Sequence, residues 1–164
     1  VAYNLIERGV EVEILPQALL ENIAIMAYRP LSMGLLTGNL RHGSTLDPKR
    51  RGATDARVIT WLSQHGDHIE QFIKMAENLN VSPVQLAGAW VCHSPAVTAP
   101  IIGVSSVEQL VSTVKIDEFT LSDDDYQLLN SIFDTEVKEE SLQKFPGITY
   151  NFPRLRRNLT LSQK

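Results

Sequence analysis

The amino-acid sequence predicts an α/β fold built on a parallel sheet. Short, apolar, β-prone runs alternate along the chain with longer stretches of helical periodicity. One run, PIIG at residues 100–103, passes through Val-Ser-Ser directly into a helical pattern, as parallel strands followed by crossover helices do. Such alternation is typical of sheets with right-handed helical connections. The 164 residues, 43% of them hydrophobic, are enough for one domain with its own core.

Three strands are expected, each a run of apolar residues with little polar alternation. They lie at Val1–Ile6, Ile23–Tyr28 and Val97–Gly103. Helices are expected at Glu13–Asn22, Asp67–Leu79, Ser82–His93, Ser106–Val114 and Leu121–Phe133. The stretch at residues 29–40 contains Pro and Gly and is expected to be a loop with a turn or two of helix. Residues 42–54 are expected to form an irregular loop.

The helix predictions rest on apolar periodicity and capping signals. The helix over residues 67–79 places one apolar stripe at Ile69, Phe72, Ile73, Ala76 and Leu79. The next helix is preceded by Ser82, with Pro83 at its first position and Gln85 completing a capping box. Ser122 and Asp125 form a similar box before the last helix.

Three parallel strands alone would leave open sheet edges and an uncovered face. Further strands are therefore expected, either in sequence upstream of Val1 or in a partner. The chain begins in a β-prone run rather than with Met, which fits missing upstream sequence. The tail at residues 134–164 mixes charge with aromatic residues and is expected to pack over the domain.

Composition disfavours several classes of function. A net charge of −4 and a pI near 5.5 are unlike the basic footprint of a nucleic-acid-binding protein. No apolar run approaches the ~20 residues of a membrane span, so no membrane partner is expected. Cys92 is the single cysteine, which favours a reducing, cytoplasmic setting. Its apolar neighbours suggest an inert thiol in the core.

Polar and aromatic residues follow two of the predicted strands, where ligands of parallel α/β folds bind. Tyr28 ends one strand and offers a planar ring, and Ser32 follows it in a Gly-containing loop. Gly103, Ser105 and Ser106 follow the other strand and lead into a helix whose free N–H groups favour an anion. Ser105 with Glu108 is also a plain capping box, and the local pattern by itself favours that interpretation. The local pattern leaves both interpretations open.

The longer stretches MAYRPLSMGLLTGNL, SPVQLAGAWVCHSPAVTAPIIGVSSVEQL and FTLSDDDYQLL together resemble the carboxyl-terminal part of the aldo-keto reductases. The resemblance extends from Tyr3 to about Phe133. It implies a (β/α)8 TIM barrel, of which residues 1–133 hold strands six to eight, with the tail at 134–164 over the barrel. It also implies an NADP-dependent enzyme that passes a hydride from NADPH to an aldehyde or ketone.

The resemblance assigns roles in cofactor binding by position. Tyr28 matches the aromatic residue that stacks on the nicotinamide. The stretch that lines the pyrophosphate corresponds to Arg29, Leu31, Ser32 and Gly34. The loop that receives the 2′-phosphate of the adenosine corresponds to Gly103, Val104, Ser105 and Ser106. Three further residues follow: Gln109 falls near that phosphate, and Ser112 and Thr113 stand where the family often has the Glu-Asn pair that bonds the adenine edge.

This chain departs from the family pattern at the phosphate. Many members carry an arginine where Gln109 stands, so the motif lacks a cation and NADH becomes an alternative cofactor. Arg41 and the basic residues 49–51 are a second hypothesis for the source of charge, although a solvated basic loop is the favoured explanation of them.

The family's catalytic Tyr, Lys, Asp and His all lie upstream of this part of the barrel, so no catalytic residue and no metal site is expected here. The four histidines are interpreted as surface or helix-face residues. The sequence thus predicts a fragment that contributes the cofactor cleft of a carbonyl reductase and is inactive alone. The alternatives are a nucleotide-binding regulatory protein like the potassium-channel β-subunits, or a structural half-barrel that self-associates into a homo-oligomer.

Overall fold

The computed structural model describes residues 1–41, 43 and 55–133. Two strands are formed, β1 at Ile25–Tyr28 and β2 at Val97–Ile101. Five α-helices are described: α1 at Ile14–Leu20, α2 at Ala56–Asn78, α3 at Pro83–His93, α4 at Val107–Val114 and α5 at Asp123–Ile132. Short 3-10 segments lie at Gly9–Glu11, Ser32–Thr37 and Lys115–Glu118. The irregular loop predicted at 42–54, apart from Gly43, and the tail at 134–164 lie outside the described residues.

The two strands run parallel, as the alternating pattern predicts, and Tyr28 pairs with Ile101 at their carboxyl ends. The predicted strand at Val1–Ile6 is wrong as a strand. Ala2 forms only an isolated parallel bridge to Tyr28. The chain then turns because the side-chain oxygen of Asn4 accepts hydrogen bonds from the backbone N–H groups of Ile6 and Glu7.

The predicted second and third strands are shorter than their apolar runs, because β1 begins at Ile25 and β2 ends at Ile101. β1 is also not buried on both faces. Ile25 and Ala27 face the core, whereas Met26 is 57% and Tyr28 43% exposed. One face of this sheet therefore lies open within the described residues.

Helix α2 packs the core with the apolar stripe that the sequence predicts. Ile69, Phe72, Ile73 and Ala76 are buried, and Leu79 packs against them. The helix begins at Ala56 rather than Asp67, because Asp55 caps it by accepting the N–H of Arg57. Hydrogen bonds from Arg57 lower the pKa of Asp55 to about 2, so this cap is charged at neutral pH.

The capping box of α3 is confirmed: the Ser82 hydroxyl accepts the N–H of Gln85, and the Gln85 side chain accepts the N–H of Ser82. Ser122 caps α5 in the predicted position by accepting the N–H of Asp125.

The prediction that Cys92 lies in the core is wrong, because this residue is exposed. Partial burial of the sulfur, with Asp117 nearby, still raises the pKa of Cys92, so the unreactive thiol form persists at neutral pH.

Gly38, in the loop after β1, packs closely against Pro83 at the start of α3. We expect Gly38→Ala to lower the free energy of unfolding by about 2 kcal/mol. Its φ is +79°, and an added Cβ would lie 2.9 Å from Cγ of Pro83. Both backbone strain and a steric clash therefore oppose the methyl group. Urea denaturation measures the effect, with Gly34→Ala as the matched control because its φ is +100° and no atom lies within 4 Å of the added Cβ. Equal losses in the two variants would show that Pro83 plays no part.

Among the described residues, no helix has the length and apolar character needed to cross a membrane.

Candidate functional site: the carboxyl edge of the parallel strands

The carboxyl ends of β1 and β2 lie side by side, because Tyr28 and Ile101 are partners in the parallel register. The segment after β1, residues 29–38, and the segment after β2, residues 102–109, therefore leave the sheet at the same edge. Most of the residues predicted to bind a cofactor belong to these two segments. The register brings the two halves of the predicted cofactor site together.

Tyr28 presents a partly exposed ring at this edge. The guanidinium carbon of Arg29 lies 5.0 Å from the ring centroid, and Arg29 also donates a 3.4 Å hydrogen bond to the Tyr28 hydroxyl. Cation–π attraction of this kind limits the rotation of both side chains. The ring is thus held in place while remaining accessible to a planar ligand.

The backbone after Tyr28 is strained. Arg29, Ser32 and Met33 have φ of +60°, +47° and +56°, and Gly34 has φ of +100°. Left-handed backbone is uncommon for residues other than glycine, and runs of it concentrate at functional sites. The structure leaves open space where a side chain at Gly34 would stand, which suits close approach of a ligand to the backbone.

The remaining predicted residues of this segment, Leu31 and Ser32, are less exposed than Tyr28. Ser32 is fully buried, and its hydroxyl has no hydrogen-bond partner among the described residues. Leu31 is half-buried and packs against the core. The Ser32 hydroxyl is thus buried without a partner in this conformation, and its place along the pyrophosphate stays a prediction.

The segment after β2 is exposed from Gly103 to Gln109. The predicted capping box of Ser105 and Glu108 is wrong by one residue. Ser106 is the cap and accepts the N–H of Gln109 at 3.2 Å. The Gln109 side-chain oxygen accepts the N–H and the hydroxyl of Ser105 at 2.8 and 3.0 Å. Gln109 thus folds back over the loop and fixes Ser105 at the N-terminus of α4, where anions bind favourably.

Of the basic residues considered as a source of charge for a phosphate, Arg41 forms ion pairs with residues of α2, and the others lie outside the described residues. Arg41 forms a 2.8 Å ion pair with Glu70 and a 3.6 Å ion pair with Glu77, both on α2. Residues 49–51 lie outside the described part of the chain. Ser112 and Thr113 are half-buried on α4 and line separate surface grooves.

Sequence reasoning missed the contacts that support the site from the start of the chain. Asn4 donates hydrogen bonds to the carbonyl of Arg29 at 3.0 Å and to the carboxylate of Glu7 at 2.9 Å. Glu7 in turn lies 3.5 Å from the Arg29 guanidinium. The available signal was a polar Asn within a β-prone run, followed three residues later by Glu.

The described histidines lie on helices, as predicted. His65 and His68 face each other on α2 with ring centroids 5.8 Å apart. His93 on α3 stacks on Tyr126 at 4.2 Å and lies 3.2 Å from Asp123. His42 lies outside the described residues. Within the described part of the chain, no three His, Cys, Asp or Glu side chains cluster as metal ligands would.

Comparison with known proteins identifies the family of the chain. Residues 1–134 match the family described as "Aldo/keto reductase family". The chain belongs to the aldo/keto reductase family. Membership implies the TIM-barrel fold, and the described residues form two parallel strands with five α-helices.

Relatives in three organisms illustrate this membership. The uncharacterized oxidoreductase YrpG of Bacillus subtilis is 34% identical over 131 residues, which cover 80% of this chain and 38% of YrpG. A Schizosaccharomyces pombe protein, provisionally named a voltage-gated potassium channel subunit beta, is 32% identical over 71% of this chain and 36% of its own. The NADH-specific methylglyoxal reductase of Escherichia coli is 27% identical over 79% of this chain and 40% of its own.

A solved structure agrees with the fold. The glycerol dehydrogenase AKR11B4 from Gluconobacter oxydans superimposes with a TM-score of 0.68 at 26% identity, covering 80% of this chain and 40% of that one. The chain therefore spans about 40% of the length of the relatives it matches.

Proposed function

We propose that the protein is an NAD(P)H-dependent aldo-keto reductase that reduces an aldehyde or ketone. The observation that carries the proposal is the strand register, which places the Tyr28 ring, the strained loop after β1 and the N-terminus of α4 at one edge. These features fit an extended dinucleotide. The ring suits the nicotinamide, the open backbone at Gly34 suits the pyrophosphate, and the loop at residues 103–106 suits the adenosine phosphate.

The chemistry that the dinucleotide supplies is a hydride, which passes from the nicotinamide to the carbonyl carbon. The residues of this chain would position the nicotinamide against Tyr28 and hold the phosphates along the two loops. We assign no proton donor to these residues. An acid elsewhere in the barrel would protonate the developing alkoxide.

We also propose that this chain forms the carboxyl-terminal part of such a barrel. The family motifs of the sequence favour the carboxyl-terminal position, and exposed apolar side chains on the strands and on α4, which neighbouring βα units would cover, support an incomplete barrel. Met26 and Ile101 are exposed on the strands, and α4 has no buried residue, with Val107 71% and Val114 64% exposed. Faces of this kind are typically covered in the assembled protein.

The experiment that tests the function has two parts. The intact mass of the protein from its native source shows whether the remaining barrel is present, and NADPH oxidation with a reactive aldehyde measures turnover. We expect turnover with the complete barrel and none with the 164-residue chain alone. Sustained NADPH oxidation by the chain alone would contradict the assignment of the acid to another part of the barrel.

A second candidate function is suggested by the Schizosaccharomyces pombe relative with the channel-subunit name. In that case the nucleotide would act as a sensor. Dinucleotide binding by the complete protein without turnover of any tested carbonyl would favour it. Failure to bind any dinucleotide, together with self-association, would instead favour a structural role.

Cofactor preference depends on residue 109. We expect Gln109→Arg to raise the affinity for NADPH by about tenfold, because a guanidinium forms charge-assisted hydrogen bonds with a phosphate. The affinity for NADH, which lacks the 2′-phosphate, is expected to fall slightly because the hydrogen bonds that Ser105 donates to the Gln109 side-chain oxygen are lost. Isothermal titration with both cofactors measures the ratio. An unchanged ratio would show that the 2′-phosphate does not lie near residue 109.

A further inference from the structure

Asn4 is a fully buried polar residue whose side-chain amide is saturated with hydrogen bonds. Its nitrogen donates to the Arg29 carbonyl at 3.0 Å and to the Glu7 carboxylate at 2.9 Å. Its oxygen accepts the N–H groups of Ile6 at 2.9 Å and Glu7 at 2.8 Å. An amide side chain offers two donors and two acceptor positions, and all four are used.

The bond to the Arg29 carbonyl acts on the most strained part of the site. Arg29 has φ of +60°, so its conformation persists only where surrounding contacts fix it. The first residues of the chain also hold the backbone of Tyr28, the residue before Arg29, through two hydrogen bonds. Tyr28 donates its N–H to the carbonyl of Val1 at 2.8 Å and accepts the N–H of Tyr3 at 3.3 Å. The hydrogen bond from Asn4 extends this backbone support by one residue, to the carbonyl of Arg29.

Asn4 also orients the partner of the Arg29 side chain. It fixes the Glu7 carboxylate through one oxygen, and the other oxygen lies 3.5 Å from the Arg29 guanidinium. That guanidinium is the group that lies against the Tyr28 ring. One buried amide thus holds both the backbone and the ion-pair partner of Arg29.

We infer that Asn4 is a positioning residue for the nicotinamide end of the cofactor cleft, acting through Arg29 and Tyr28. The inference rests on the proposed function. Its consequence is selective: loss of Asn4 weakens binding at the Tyr28–Arg29 end and leaves the adenosine end at residues 103–109 unaffected. A merely structural residue would weaken both ends together.

The test compares Asn4→Ser with Asn4→Ala. A serine hydroxyl accepts nearby backbone N–H groups, so it preserves the turn at Ile6 and Glu7, but it is too short to reach the Arg29 carbonyl. Ser122→Ala serves as the control, because it removes the cap of α5, a helix that contributes no residue to the predicted cofactor site. Each variant is titrated with NADPH, reduced nicotinamide mononucleotide and adenosine 2′,5′-bisphosphate well below its melting temperature.

We expect both Asn4 variants to bind NADPH and the mononucleotide about tenfold more weakly, with binding of the bisphosphate changed less than twofold. The Ser122→Ala variant is expected to melt earlier and bind all three probes normally. Equal weakening of the mononucleotide and the bisphosphate would overturn the role of Asn4 while leaving the proposed function intact. Failure of the unmodified protein to bind NADPH or either fragment would overturn the proposed function itself, and the inference with it.

Discussion

Replacing Trp90 with alanine is expected to lower the free energy of unfolding by about 3–5 kcal/mol. Trp90 on α3 is fully buried, and its indole N–H donates to the side chain of Asn130 on α5 at 3.0 Å. The rings of Tyr3 and Tyr126 lie 4.9 and 5.9 Å away, and the Arg8 guanidinium lies 5.4 Å from the indole. The substitution removes a side chain through which α3 contacts both α5 and the first residues of the chain. Urea denaturation with fluorescence detection measures the change in the free energy of unfolding.

Two variants sharpen this prediction. Trp90→Phe retains most of the ring volume but leaves the side chain of Asn130 without its donor, so we expect an intermediate loss of about 1–3 kcal/mol. Leu128→Ala removes an exposed apolar side chain from α5 and is expected to change stability by less than about 0.5 kcal/mol. A loss for Trp90→Ala no larger than that of Leu128→Ala would mean that α3 and α5 do not pack through this residue.

Replacing Tyr28 with alanine is expected to weaken NADPH binding by about 10- to 100-fold, because stacking of an aromatic base on a side-chain ring contributes roughly 1–3 kcal/mol. The ring is partly exposed at the carboxyl end of β1 and is held by Arg29. Little of this exposed side chain contributes to the core, so stability should change much less than affinity. Isothermal titration gives the affinity, and thermal unfolding of the same samples gives the stability.

Tyr28→Phe is the matched control. It retains the ring and loses only the hydroxyl that accepts a 3.4 Å hydrogen bond from Arg29, so we expect binding within about threefold of the unmodified protein. If alanine and phenylalanine weaken binding equally, the hydroxyl rather than the ring contacts the cofactor. If neither variant weakens binding, the nicotinamide does not lie at Tyr28.

The sequence was sufficient where one residue pattern dictates one local structure. The apolar stripe of α2, the capping box of α3 and the cap of α5 are all as predicted, since each depends on residues within one or two helical turns. The start of α2 was missed because Asp55 lies beside a loop of mixed composition. The cap of α4 was misplaced by one residue because Ser105 and Ser106 are both good caps.

The sequence by itself determined the parallel α/β pattern and the family, and it predicted a cofactor site at two strand ends, because these depend on local periodicity and on family motifs. Only the tertiary structure decided the register that places Tyr28 beside Ile101, the inward turn of Ser32 and the support of Arg29 by Asn4. These features join residues far apart in sequence, such as Asn4 and Arg29. Local periodicity contains no information about which distant hydrogen-bond partner a buried amide will meet.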